Sequence, residues 1–288
     1  DALLFPLDNS GLAAATPDRQ KFFPLEDKLR TRYFTESAVK AIPTTLEDYL
    51  RKVVMPTLER QRAGGAIAVK FEVAYLRSFD FTDPPQDQAA RIYAKYAWRS
   101  KPDPADYKIL QDFLFRYIAS ECGRLGMAVH LHSMAGDGSY FGVAGVNPLL
   151  LEPLFNDPHL RRTNFVLLHG GWPYERITAA LLEKPNVYAD ISSQDLLMPP
   201  HTEAQWLREW LEWEPEKVLF GTDGYPFSDE MGWPESTWIA NRNGREALGI
   251  ALTGMLDDGE ITRDQAYTLA RQVLRGNAET LYHFKGPK

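Results

Sequence analysis

Apolar and β-branched residues gather in six short runs along the chain: ALLFPL (2–7), AIAVKFEVAY (66–75), MAVHLH (127–132), NFVLLH (164–169), NVYADIS (186–192) and KVLFGTD (217–223). Runs of this length predict strands. Their near-continuous apolar character, without polar alternation, predicts strands covered on both faces. Between them the spacing becomes helical. Residues 44–63 open on Thr44 and Thr45, carry Pro56 as a kink, and stop at Gly64 and Gly65. Residues 104–124 hold apolar positions at helical spacing and end before Gly126. Pro173 suits the first turn of a helix over PYERITAALLEK, and Thr262 with Gln265 reads as a capping box for a helix running to Gly276.

Six alternations of strand and helix predict an α/β fold with a parallel sheet. The candidates are a doubly wound open sheet and a (β/α)8 TIM barrel. The nucleotide-binding open sheets carry a glycine fingerprint after an early strand, and neither GxGxxG nor GxxxxGK[ST] occurs here. Instead the runs end on polar residues: Asp8, His132, His169, Ser192 and Asp223. In a barrel those ends meet at one mouth, so the pattern predicts the barrel, as a single domain over residues 1–288. Segments 76–86 and 133–147 read as mouth loops, and the last forty or so residues as closing helices. The opening DALLFPLDNSGL reads as a strand entered midway, which predicts that residues are missing upstream.

Composition adds exclusions. The 288 residues are 44% apolar and 25% charged, with a net charge of -7 spread along the chain. No basic stripe and no long apolar segment occurs, so nucleic acid and membrane are not expected as partners. The expectation is a cytoplasmic protein acting on a small molecule, with a homo-oligomer possible. The single cysteine, Cys122, forms no intrachain disulfide. It reads as a buried small hydrophobe in preference to a nucleophile.

There are six histidines. His159, His201 and His283 fall in turns, loops or near the terminus and read as structural. His130, His132 and His169 fall on predicted strands, where an unpaired imidazole is costly. Imidazole and carboxylate suit Zn²⁺ and similar divalent ions, so His132, His169 and Asp223 form a candidate metal site. Such a metal would lower the pKa of a bound water toward about 7, and Asp223 would serve as general base and then acid. Lys70 sits among apolar residues. It is either paired with Glu72 or a nearby carboxylate, or is a carbamylated metal bridge or a charge for an acidic substrate. Tyr75 and Arg77 follow it as candidate substrate contacts, Arg77 through a bidentate pair with a carboxylate.

Four stretches, AVKFEVAYLRS, AVHLHSMAGDG, FVLLHGGWPY with PNVYADIS, and VLFGTDGYPF, together resemble the amidohydrolase superfamily. The likeness is to its amidohydrolase-related branch of metal-dependent TIM-barrel hydrolases, and to the barrel domain found fused to glutamine-synthetase-like domains. NAETLYHF near the end is similar too. The resemblance covers most of residues 60–285. It implies His132 as the fifth-strand ligand, since a Gly-x-Gly loop follows it, His169 as the sixth-strand histidine and Asp223 as the eighth-strand aspartate. Lys70 falls at the fourth-strand lysine position. His130 becomes either a residue supporting the ligands or a substrate contact, and Trp172 is a candidate substrate contact. The family's first-strand His-x-His pair has no counterpart, because no histidine precedes residue 130. HLH itself leaves too few strands after it to be that pair. The six runs therefore count as strands three to eight, with strands one and two missing from the chain.

The expected activity is hydrolysis of a C–N or C–O bond with one or two divalent ions, most simply Zn²⁺. Non-oxidative decarboxylation is the alternative on the same ligands. A catalytically silent barrel used for binding or assembly is the alternative from outside enzymology.

Overall fold

The computed structural model describes residues 1–98, 100–135 and 142–284. The Gly-x-Gly loop at 136–138, on which the reading of His132 leaned, lies outside the described residues. The chain packs as two compact units. The first comprises residues 1–131, 135–146 and 150–164, and the second comprises residues 132–134, 147–149 and 165–288.

Five parallel strands occur, in chain order: β1 (Ala68–Phe71), β2 (Ala128–His132), β3 (Phe165–Leu168), β4 (Val187–Asp190) and β5 (Val218–Leu219). In the first unit β1 pairs with β2 in register Lys70 to His130. In the second unit β3 pairs with β4 and β4 with β5. Every residue of β3 is buried, as are all but one of β2 and β4, which is the condition that makes a strand read as an unbroken apolar run.

The sixth expected strand does not form. Ala2, Leu3, Leu4, Phe5 and Leu7 are buried as predicted, but the segment is a succession of turns. Four of its backbone groups are satisfied by side chains, and Leu4 N–H donates to Asp1 O. Tyr49 Oη donates to Leu3 O, Arg30 donates to Phe5 O and Leu7 O, and Leu7 N–H donates to Tyr107 Oη. A buried backbone group must be paired, and here distant side chains pair it.

The helices follow their sequence signals closely. Helix Pro104–Leu125 is opened by Asp103, whose side chain accepts from Ala105 N and Asp106 N, and closed by left-handed Gly126. Its buried stripe of Tyr107, Leu110, Leu114, Phe115, Ile118 and Cys122 keeps helical spacing. Cys122 lies in that stripe with its thiol pushed up to about 12 by burial, as expected of an inert core residue. The Pro56 region runs as Leu46–Tyr49, a π-helical turn Leu50–Val54, then Met55–Ala63. The Thr262–Gln265 capping box forms in both directions. One boundary moves: the helix expected from Pro173 begins at Glu175. Among the described residues no helix is long and apolar enough to cross a membrane.

Candidate functional site

The second unit holds four polar residues at or beyond strand ends. His132 closes β2, His169 follows β3, Asp190 closes β4, and Asp223 lies four residues beyond β5. The rings of His132 and His169 stand edge to face with centroids 4.6 Å apart, and both residues are buried. Ser133 N–H donates to Leu168 O.

His169 is held from several sides. Its backbone is left-handed, at φ +66°, a conformation that a bulky residue keeps only when its surroundings demand it. Its N–H donates to Asp190 Oδ1 at 2.7 Å, and its carbonyl accepts from Gln194 Nε2 at 2.6 Å. Ring Nδ1 lies 2.8 Å from Ser192 Oγ and 3.2 Å from the Ser192 carbonyl. Nε2 is buried and has no hydrogen-bond partner among the described residues. Gly170 continues the left-handed path, and a Cβ on it would stand 2.5 Å from Gln194 Nε2 and 2.8 Å from the Trp210 ring.

Asp223 is exposed, and its Oδ2 accepts from Ser193 Oγ at 2.6 Å. Ser193 and Asp223 are left-handed as well. Five non-glycine residues among those described have positive φ, and three of them (His169, Ser193 and Asp223) belong to this constellation. Strain of this kind concentrates where geometry matters more than comfort.

Two further carboxyls lie nearby in sequence. Asp195 and Glu203 are fully buried, with no hydrogen-bond partner for any of their carboxyl oxygens among the described residues. Burial, and then the charges of Glu203 and Asp190, push Asp195 up to about 9. Burial alone pushes Glu203 up to about 8.

A divalent metal fits the pair of imidazoles in chemistry: His169 presents a buried nitrogen with no other use, beside a second histidine ring. Among the described residues no three His, Cys, Asp or Glu side chains converge to hold an ion. Asp223, the third expected ligand, is engaged by Ser193.

The remaining expected site residues have other occupations. Lys70 is exposed and its Nζ lies 2.8 Å from Glu72 Oε1, the plain ion pair. Arg77 is engaged within the protein. It pairs with fully buried Asp112 at 2.7 Å, donates to Gln111, Ser78 O and Asp80 O, and lies over the Phe81 ring. A guanidinium has five N–H donors, and these contacts account for nearly all of them. Tyr75 packs against Phe22, and His130 is half-buried opposite Lys70. These four belong to the first unit. Trp172, in the second, lines a cavity of about 480 Å³ with Tyr174, Ile177, Met198 and Trp206. Sequence reasoning passed over Asp190, Ser193 and Gln194. Their signal was present in ADISSQD, where the strand ends on Asp190 and four polar residues follow Ile191.

A parallel α/β fold that gathers polar side chains beyond its strand ends carries its chemistry at those ends. The chain belongs to the amidohydrolase family, whose profile matches residues 48–284. It is 27% identical over 259 residues to Protein fluG of Emericella nidulans, covering 85% of this chain and 29% of that protein. The fold is like that of a proposed metal-dependent hydrolase of Lactobacillus casei (TM-score 0.69, 21% identity, 84% of this chain and 61% of that one). It is also like glucuronate isomerase of Caulobacter crescentus (TM-score 0.62, 12% identity, 91% and 56%). The chain thus spans under a third of the fluG protein and about three-fifths of the Lactobacillus chain.

Proposed function

We propose that this chain is a metal-dependent hydrolase cleaving a C–N or C–O bond of a small substrate on an amidohydrolase barrel. The observation that carries the reading is His169: its Nδ1 is spent on Ser192, its buried Nε2 has no hydrogen-bond partner among the described residues, and its ring centroid lies 4.6 Å from that of His132. His132 and His169 would hold a divalent ion, most simply Zn²⁺; Asp223, which does not converge with them among the described residues, is proposed to become the third donor on metal binding. When bound, the ion supplies Lewis acidity that brings the pKa of a water down toward about 7. Asp223 takes a proton as general base and returns it to the leaving group as general acid. Its exposure gives substrate access to the carboxylate, and the Ser193 hydroxyl fixes the orientation of that carboxylate. The left-handed backbone at Ser193 and Asp223 aims both side chains without help from regular structure.

Metal analysis of protein purified without chelators tests the reading. About one ion per chain, falling steeply in His169→Gln, is the expected result. Protein that stays metal-free after dialysis against Zn²⁺, Mn²⁺ or Fe²⁺ would remove it.

A further inference from the structure

We infer that Asp190 and Ser192 form a positioning relay that fixes the proton of His169 on Nδ1 and keeps Nε2 an acceptor. The relay stands on geometry alone; the use of that acceptor rests on the metal-dependent reading above.

Three hydrogen bonds admit one arrangement of protons. The Ser192 carbonyl, 3.2 Å from His169 Nδ1, can only accept, so the hydrogen between them belongs to Nδ1. The Ser192 hydroxyl has one hydrogen and lies 2.8 Å from Asp190 Oδ1. That oxygen already receives His169 N–H at 2.7 Å and Ser192 N–H at 3.2 Å, which marks it as the acceptor of the hydroxyl as well. With its hydrogen given to Asp190, Ser192 Oγ receives Nδ1–H at 2.8 Å. The path from imidazole through hydroxyl to carboxylate therefore runs in one direction.

All three residues are buried, so water does not compete for these bonds. One carboxylate oxygen also does two tasks. It binds the main chain of His169 in its left-handed turn, and through Ser192 it sets the ring's tautomer. A ligating histidine whose second nitrogen is tied to a carboxylate has a fixed ring orientation and a more basic free nitrogen. Here a serine is interposed between the two.

The test uses the full chain labelled with ¹⁵N-histidine, stripped of metal and held near pH 9, above the ordinary histidine range. The His169→Gln variant identifies the His169 signals. Wild-type protein should show protonated Nδ1 and bare Nε2. Ser192→Ala keeps only the carbonyl partner and should move the tautomer ratio toward Nε2–H by about fivefold, the worth of one ordinary hydrogen bond. Ser192→Thr, which retains the hydroxyl, should restore the ratio. A wild-type Nε2–H tautomer, or a ratio unmoved in Ser192→Ala, overturns the relay. Asp190→Asn also disturbs the His169 main chain, so the Ser192 variants give the decisive comparison. Zinc titration separates the two readings: a Nδ1–H tautomer in protein that never binds zinc supports the relay and removes the metal reading. Zinc affinity about 10–100-fold weaker in Ser192→Ala supports both.

Discussion

The hydroxyl of Ser193 donates to Oδ2 of Asp223 across 2.6 Å, and both residues hold left-handed backbone, at φ +61° and +48°. Neither residue lies in a strand, and the two are 30 positions apart. Their mutual aim depends on this one bond and on two main-chain conformations that few residues accept. Replacing Ser193 by alanine would mix loss of the hydroxyl with new backbone strain. Glycine separates them, because it adopts positive φ freely. Ser193→Gly should lower turnover about tenfold or more, the worth of a hydrogen bond to a charged group, with little change in melting temperature. Steady-state rates and thermal melts of the variant decide it, and unchanged turnover would detach Ser193 from Asp223's role.

Asp223→Asn should reduce turnover by about 10²–10⁴-fold, the usual contribution of a general acid–base group. Stability should shift by no more than about 0.5 kcal/mol, because the residue is exposed and asparagine tolerates its backbone conformation well. Activity assays beside denaturant titrations check both halves. Retained turnover would assign the proton transfers elsewhere.

Arg77 and Asp112 form a buried ion pair, and Asp112 also accepts from Lys108, Thr82 N–H and Thr82 Oγ. Arg77→Ala leaves that carboxylate without its main partner and should cost about 3–5 kcal/mol. Urea unfolding monitored by circular dichroism measures it. A variant of wild-type stability with weakened substrate binding would assign Arg77 the substrate-contact role instead.

The buried acids Asp195 and Glu203 predict how stability varies with pH. Their folded pKa values, about 9 and about 8, lie above the ordinary carboxylate range near 4. Between those limits the folded chain holds protons that the unfolded chain has released. Stability is therefore fully present below about pH 4 and is lost as pH rises through 8 to 9, at up to about 1.4 kcal/mol per pH unit for each group. Asp195→Asn and Glu203→Gln should each flatten that slope and exceed wild type in stability at pH 8. Denaturation midpoints at pH 5, 7 and 9 provide the comparison; parallel curves for wild type and variants would mean that the acids are already ionised.

Much of this architecture was legible in the residues. β2 and β3 announce themselves by apolar runs ending in histidine, because burial on both faces leaves the strand end as the natural place for a polar group. Asp103, Gly126 and the Thr262–Gln265 box mark helix ends by local chemistry, and local chemistry reads directly from sequence. Residues 2–7 failed for the opposite reason. Their apolar run looks like a strand, but Tyr49, Tyr107 and Arg30 reach in from up to 100 positions away to bind its backbone. The partner of Arg77 was equally hidden: beside an apolar run the arginine suggests a ligand contact, and only the folded chain shows its ion pair with Asp112. Ser193 and Gln194 act through backbone conformation and a carbonyl contact, which leave little trace in residue pattern.

Gly170 limits how the site can be rebuilt. Any side chain there would collide with Gln194 and with the fully buried ring of Trp210, which belongs to the helix Pro200–Trp213. A library that randomises position 170 alone should return glycine and nothing else. Alternatives become accessible only when Trp210 and Gln194 are made smaller in the same gene, and even then φ +65° favours asparagine over branched residues. For anyone redirecting this scaffold to a new substrate, the loop after β3 is therefore fixed material, and variation belongs on the exposed turn that follows Asp223.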